Sequence, residues 1–237
     1  MKILLKKKYV TMLTDVALAF LVAAVAAICF IPSGSLPAAK TSPYYCGERS
    51  GNRISLMFNV YEGEEVVYGI LDTLESYGVK ATFFMGGCFA DDHAELLCDI
   101  VRAGHEIGNH GYFHLDHDKI SEEKNYEEID NTGRVITALC GYRPTLFAPP
   151  SGAFNSSTLS AAEKLGYTVV MWTRDTIDWR DGDEDLIFSR ATKNAEAGDL
   201  VLMHPKKHTL AVLPRVLEYY KAQGLVQSTV SSTLLGE

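Results

Sequence analysis

The chain has 237 residues, of which 47% are hydrophobic and 22% are charged, and its formal net charge is -8. This length and composition are typical of one globular domain with a full hydrophobic core, and they argue against intrinsic disorder. The acidic balance, with no stripe of Lys and Arg in the body of the chain, excludes nucleic acid as an expected partner. We expect a monomer.

The first 31 residues differ from this average. Lys2 and Lys6–Lys8 precede an apolar run from Val16 to Ile31. Counted back to Val10, the run reaches the roughly 20 residues that cross a hydrocarbon core, and flanking lysines hold that end in the cytoplasm. We therefore predict a basic tail and a single-pass membrane anchor over residues 1–31, with the rest of the chain extracellular. A cleaved signal peptide has the same pattern and would give a secreted protein.

Residues 32–52 are rich in Ser, Pro, Gly and Ala, which indicates a linker, and residues 53–237 form the predicted domain. The four cysteines outside the apolar run are Cys46, Cys88, Cys98 and Cys140. Their spacing fits no zinc ribbon, and sequence does not give disulfide connectivity. We expect buried free thiols.

Short apolar runs alternate with amphipathic stretches from Arg53 onward, a pattern that predicts a parallel sheet covered by helices. The predicted strands are Ile54–Phe58, Ala81–Met85, Glu106–Asn109, Leu146–Ala148, Thr168–Trp172, Leu200–Met203 and Val226–Val230. The predicted helical faces carry Ile70, Leu71, Leu74 and Tyr77, and Val212, Leu213, Val216, Leu217 and Tyr220.

Polar residues follow five of these strands. They are Asn59–Glu62, His110 with His114, Pro149–Ser151, Asp175 with Asp178, and His204. In βα barrels the loops at the carboxyl ends of the strands build the site. The sequence therefore predicts a closed or nearly closed barrel with these side chains around one cavity.

Two histidines four residues apart, His110 and His114, can present both imidazoles to one zinc ion. Alone, the pair is also compatible with surface or packing histidines, and we expect the nearby His117 to be exposed to solvent. The turn Pro149-Pro150-Ser151-Gly152 is rigid and could aim a backbone N–H at an oxyanion, or could be only a turn. A carboxylate at Asp178 beside His204 would make the histidine a general acid.

The order of these motifs resembles that of the NodB-homology polysaccharide deacetylases of carbohydrate esterase family 4, especially their sporulation-associated branch. The resemblance covers about Arg53 to Thr233. It rests on Gly104–His110, Pro149-Pro150-x-Gly152, Asp175-x-x-Asp178-Trp179 and Leu202-Met-His204-Pro205. It implies a distorted (β/α)7 barrel, a divalent metal that is usually zinc, and removal of N-acetyl groups from GlcNAc polymers such as peptidoglycan or chitin.

The resemblance also implies a role for each matching position. His110 and His114 match the metal ligands, His204 matches the general acid, and Asp178 matches its supporting carboxylate. The backbone N–H of Ser151 matches the oxyanion donor. Pro150 and Trp179 are expected to contact the glycan.

The first motif departs from the family pattern Phe-Asp-Asp-Gly. Asn59 stands in the position of the catalytic base, and Val60 in the position of a metal ligand. An amide does not accept a proton at neutral pH, so we nominate Glu62, after a two-residue insertion, as substitute ligand or base. Ala148 replaces the family arginine that pairs with the missing Asp, and the two changes are consistent because an unpaired buried charge is costly.

Two hypotheses follow from this reading. The chain is either a metal-dependent deacetylase with impaired or altered catalysis, or an inactive protein of the bacterial envelope or spore that binds glycan. A glycoside hydrolase would need two carboxylates across the cleft, and that reading leaves the histidine pair unexplained.

Overall fold

The computed structural model describes residues 42–236, so the predicted anchor and residues 32–41 of the predicted linker lie outside the described residues. Within that range no helix is long and apolar enough to span a membrane. The strands are β1 Arg53–Val60, β2 Thr82–Met85, β3 Glu106–Asn109, β4 Leu146–Phe147, β5 Thr168–Val169, β6 Arg174–Asp175, β7 Leu200–Met203 and β8 Val226–Ser228. The α-helices are α1 Glu64–Tyr77, α2 Gly87–Asp92, α3 Ala94–Arg102, α4 Glu122–Cys140, α5 Ser156–Lys164, α6 Glu184–Thr192, α7 Lys207–Ala222 and α8 Val230–Leu235. Two 3-10 turns span His117–Lys119 and Pro150–Gly152.

All strand pairs in the sheet are parallel, in the order β5-β4-β3-β2-β1-β7-β6. The last strand, β8, pairs with the first residues of β1, from Arg53 to Ser55. Among the described residues β5 and β6 do not pair with each other, so the sheet is an open half-barrel of the (β/α) type. The prediction of a parallel sheet covered by helices is confirmed, and the predicted closed or nearly closed barrel is a half-barrel of the same type, open between β5 and β6.

The structure has eight strands in its described part, one more than we predicted. The additional strand is β6, and β5 ends at Val169 rather than at Trp172. Strands of two residues carry no period-two pattern, which is why the sequence does not reveal β6.

The central strand β1 is buried over almost its whole length, as a strand with neighbours on both edges must be. Its even-numbered side chains, from Ile54 to Val60, belong to the main hydrophobic core between the sheet and the helices. Because side chains alternate along a strand, Ser55, Met57 and Asn59 point to the interior of the half-barrel. This alternation decides which residues of the first motif reach the site.

The helices cover the outer face of the sheet with the faces that the sequence predicted. In α1 the buried residues include Ile70, Leu71 and Leu74. In α7 the side chains of all five predicted residues are buried. Both helices contribute these residues to the same core as β1, so the outer face of the central strand belongs to one closely packed core with both helices.

A segment before β1, residues 44–49, is tied to the domain by hydrogen bonds, although it lies in the predicted linker. We call it the clamp. Its contacts reach three separate parts of the chain: Tyr44 N to Val169 O at 2.9 Å, Gly47 N to Gly198 O at 2.8 Å, and Glu48 N to Thr233 O at 2.9 Å. The Arg49 guanidinium also lies 3.0 Å from the buried Asp199 carboxylate.

The cysteine prediction needs one correction. The four described cysteines are free thiols, but Cys88 is exposed and the other three are only half-buried. The prediction of buried thiols is therefore wrong.

Candidate active site

A cavity of about 280 Å³ opens at the carboxyl ends of the strands. Side chains from most of the strand-end loops line it, as expected for a site built on parallel strands. The lining residues are Asn59, Tyr61, His110, His114, Ser151, Trp172, Asp175, Trp179, Leu202 and His204.

The acid side of the cavity is a buried carboxylate–imidazole pair. The Asp178 carboxylate is fully buried and accepts a hydrogen bond of 2.8 Å from Nδ1 of His204. The same carboxylate accepts the His204 backbone N–H at 2.7 Å and the Thr209 hydroxyl at 2.6 Å. Burial opposes ionisation of Asp178 most strongly, but the hydrogen bonds from His204 and Thr209 prevail and lower its pKa. The pair is therefore a carboxylate that orients an imidazole, leaving Nε2 of His204 toward the cavity.

The histidine pair lies on the other side. Nδ1 of His110 donates to the Ala148 carbonyl oxygen at 2.7 Å, which fixes the tautomer and leaves Nε2 as the acceptor. That Nε2 is buried and has no hydrogen-bond partner. The His110 and His114 ring centroids are 5.1 Å apart. Burial lowers the pKa of both histidines, so both are neutral near pH 7.

The base position carries Asn59, which is 3% exposed at the inward end of β1. Its side-chain Oδ1 is buried without a hydrogen-bond partner. Buried polar atoms are nearly always paired in native proteins, so this one marks a place where a partner is missing. Asn59 and His110 both line the cavity, so this site contains two buried polar atoms without a partner.

Three residues other than glycine in or next to the cleft have a left-handed backbone. The φ angles are 54° at His114, 56° at Ser151 and 54° at Ile177, the residue before Asp178. For a β-branched residue such as Ile177 this conformation is a genuine outlier. Each such residue costs about 1–3 kcal/mol and persists only where the surroundings impose it, which is typical of functional loops.

Two predicted site residues lie elsewhere. Glu62 is half-exposed and pairs with the Lys206 ammonium, and it is not one of the residues that line the cavity. Pro150 is buried in its turn and does not line the cavity either. The predicted roles of both residues therefore gain no support from their positions. The prediction that His117 is exposed is wrong, because its ring is fully buried and bonded to Asn125 at 2.6 Å.

Sequence reasoning missed three residues that belong to the site. Thr209, in the first turn of α7, reaches Asp178, and no local pattern indicates this. Trp172 lines the cavity from the loop after β5. Tyr61 lines it from the end of β1, and the alternation of inward side chains along that strand would have indicated it.

A divalent metal is the cofactor that the motif resemblance implies, and the described residues do not complete a site for it. The unpaired, buried Nε2 of His110 is suited to ligation, and His114 is its neighbour. However, among residues 42–236 no group of three His, Cys, Asp or Glu side chains converges. We therefore derive no chemical step through a metal.

Comparison with known proteins places this fold and cleft in a family. A profile described as polysaccharide deacetylase matches residues 47–170. An uncharacterised protein of Bacillus subtilis, YlxY, is 33% identical over 86% of this chain and 64% of its own length. The peptidoglycan-N-acetylglucosamine deacetylase PgdA of Listeria monocytogenes is 32% identical over 85% of this chain and 43% of its own. A Bacillus cereus peptidoglycan-N-acetylglucosamine deacetylase is 33% identical over 81% of this chain and 93% of its own. The chain thus spans less than two thirds of the first two of these relatives.

Solved structures give the same result. A wild-type CE4 family pseudoenzyme from Bacillus anthracis has a TM-score of 0.80 and 32% identity, covering 82% of this chain and 69% of its own. A mutant of that pseudoenzyme with restored enzymatic activity has a TM-score of 0.80 and 30% identity, covering 82% and 72%. The chain belongs to the polysaccharide deacetylases of carbohydrate esterase family 4, with the NodB-type fold. Its relatives include proteins named peptidoglycan deacetylases and one named a pseudoenzyme.

Proposed function

We propose that this chain binds a cell-wall glycan that contains N-acetylglucosamine and that its deacetylase activity is strongly impaired. The observation that carries this proposal is Asn59, which occupies the inward end of β1 where the family pattern has its catalytic Asp. A neutral amide is not a base at this position, and loss of a positioned base typically lowers a rate by about 10²–10⁴-fold. The carboxylate nominated as a substitute, Glu62, pairs with Lys206 instead.

The lining of the cavity supports sugar binding. Trp172, Trp179 and Leu202 provide apolar surface, while Asp175 and the Ser151 loop provide polar groups. A mixture of aromatic faces with a few fixed polar groups is typical of sites for small polar ligands. Trp179 is 51% exposed at the mouth of the cavity, where a sugar ring can stack on it.

The relatives support the substrate class. Two of them are named peptidoglycan-N-acetylglucosamine deacetylases, and the B. anthracis relative is named a pseudoenzyme. We therefore place this chain among family members that retain the glycan-binding cleft. Peptidoglycan is the glycan that we propose it binds.

Slow hydrolysis is the second candidate, and the Asp178–His204 pair favours it. This pair has the hydrogen-bond geometry of an imidazole held ready to protonate a leaving amine. The Asp178–His204 pair needs no rearrangement to act as the general acid. Hydrolysis would then require another group in place of the missing base.

The proposal is tested by two measurements on the full purified chain. Acetate release from GlcNAc oligomers and peptidoglycan is measured with and without added zinc or cobalt, and glycan affinity is measured by calorimetry. We expect binding without detectable acetate release in the wild type, and weaker binding in Trp179→Ala. Tyr126→Ala is the matched control, since Tyr126 is a 40% exposed aromatic that does not line the cavity.

Two outcomes would contradict the proposal. If the chain binds no GlcNAc glycan, the cleft has another ligand. If wild-type acetate release is rapid and His204→Ala abolishes it, hydrolysis is intact and the second candidate is correct.

We further propose that the domain is displayed outside the cell on a single-pass anchor. The basic and apolar pattern of residues 1–31 supports this location, and a cell-wall ligand requires it. Protease treatment of intact protoplasts should digest the domain, and N-terminal sequencing of the mature protein distinguishes an anchor from a cleaved signal peptide.

A further inference from the structure

The side chain of Tyr61 lies among the three histidines of the cleft. Its ring centroid is 4.1 Å from that of His114, 6.2 Å from that of His110 and 6.5 Å from that of His204. At 4.1 Å two rings are in van der Waals contact, so no ion or water fits between them. The Tyr61 ring is therefore within 6.5 Å of all three histidine rings that line the cleft.

The register of β1 explains why an aromatic residue is there. Val60 belongs to the core between sheet and helices, so it faces away from the cleft. Asn59 faces the cleft, and the next inward position is Tyr61. The sequence comparison nominated Val60 as the place where a metal ligand was lost, whereas the structure shows that the residue entering the cleft after Asn59 is Tyr61.

The backbone around Tyr61 leaves the ring little freedom. The backbone N–H of Gly86 donates to the carbonyl of Val60 at 2.8 Å, and a Cβ at Gly86 would lie 3.3 Å from the Cβ of Tyr61. The loop therefore packs closely against the end of β2. Beyond it, Glu62 is held outside the cavity by Lys206. The ring lies toward the histidines, whereas the only carboxylate of the Asn59–Gly63 segment pairs with Lys206.

We infer that Tyr61 occludes the face of the His110–His114 pair that a divalent metal would use, so that the glycan cleft works without one. A zinc ion needs imidazole nitrogens at about 2.0–2.1 Å and further ligands arranged tetrahedrally around it. The Tyr61 ring lies 4.1 Å from the His114 ring and 6.2 Å from the His110 ring, so it fills space beside the pair that the further ligands of such an ion would need.

This inference rests on the proposed function only in treating the cleft as the glycan site. It goes further by assigning the loss of metal binding to a side chain that fills the site, and not solely to the lack of a carboxylate. These two causes predict different behaviour for variants of Tyr61, and metal binding can be measured without any activity assay.

Four proteins are compared in the experiment: wild type, Tyr61→Phe, Tyr61→Ala and Tyr61→Asp. Each is equilibrated with zinc, dialysed and analysed for metal content, and each is titrated with cobalt(II) while its visible absorption is recorded. We expect no specific metal in wild type and Tyr61→Phe, measurable binding in Tyr61→Ala, and about one equivalent per chain in Tyr61→Asp, which also adds a carboxylate ligand. His110→Ala in the Tyr61→Asp background should remove that binding, and Tyr126→Ala should behave as wild type.

Two results would overturn the inference. One is the recovery of about one equivalent of zinc with the wild-type protein. This result does not depend on whether any variant folds. The other is metal in Tyr61→Asp but none in a folded Tyr61→Ala, which would assign the deficit to the missing carboxylate alone. Glycan affinity is measured on the same samples, because a chain that binds no glycan contradicts the proposed function and leaves the metal result unaffected.

Discussion

Two groups of polar side chains in the cleft differ in how completely they are paired. In the acid pair, one buried carboxylate accepts three hydrogen bonds from His204 and Thr209. In the same cleft, Oδ1 of Asn59 and Nε2 of His110 are buried without partners. Removal of a fully paired buried group leaves several others unsatisfied, whereas a group without a partner can change at little cost. Retention of the acid pair therefore reflects folding as well as chemistry, and it is weak evidence for an active enzyme.

The largest effect that tests this comparison is on stability. We expect Asp178→Ala to lower the free energy of unfolding by about 3–5 kcal/mol, because it removes the acceptor of three buried hydrogen bonds and leaves the His204 and Thr209 donors unsatisfied. Asn59→Ala should lower it by much less, since the Asn59 Oδ1 has no partner to lose. Urea denaturation of both variants measures the difference. Equal losses of stability in the two variants would show that the paired and the unpaired groups do not differ in this respect.

A second prediction concerns the coupled changes at Asn59 and Ala148. Asn59→Asp alone should destabilise the protein by burying an unpaired carboxylate, and Ala148→Arg alone should do so by burying an unpaired guanidinium. Together they should destabilise less than the sum, with a coupling energy of about 0.5–3 kcal/mol. A double-mutant cycle from urea denaturation measures this energy. Strict additivity would show that the two positions do not face each other.

The pH dependence sharpens the comparison on the acid side. The folded pKa of Asp178 is lowered, so its contribution to stability is complete above the unfolded pKa, about 3.9, and is lost as the pH falls through the folded pKa. Below about pH 4 we expect this residue to add up to about 1.4 kcal/mol per pH unit to the slope of stability against pH. Asp178→Asn should lack that part of the slope. Urea midpoints from pH 5 downward, compared between the two proteins, measure it.

The smallest expected effect is at Glu62. This carboxylate is half-exposed in its pair with Lys206, so Glu62→Gln should change the free energy of unfolding by less than about 1 kcal/mol. Glycan affinity should also stay unchanged, because Glu62 does not line the cavity. Lys206→Met is the matched control for the pair. Any acetate release that Glu62→Gln abolishes and Lys206→Met retains would restore Glu62 as the base.

Sequence alone was sufficient where a local pattern is long. The apolar run of β1 and the helical faces of α1 and α7 predicted their elements within a few residues. Prediction from sequence did not reveal β6, whose two residues are too few to show a period-two pattern. It also did not show that the sheet stays open, because that depends on whether β5 and β6 pair.

The residues of the candidate site were likewise predictable from sequence only in part. The histidines follow strands, so their position at one end of the sheet is a consequence of parallel topology. The location of Glu62 was not predictable, because a side chain after a strand end can turn into the cleft or toward Lys206. Tyr61 was predictable in principle, since it continues the inward series of Met57 and Asn59, but family comparison directed attention to Val60 instead.

The clamp before β1 has a mechanical consequence. A tension applied to the chain ahead of the domain reaches residues 44–49 first, and their hydrogen bonds end on Val169, Gly198 and Thr233. Val169 ends β5, Gly198 lies in the loop before β7, and Thr233 lies in α8, which follows β8. The clamp therefore distributes such a pull over three separate parts of the domain before it reaches Arg53, the first residue of the strand whose other end carries the cleft.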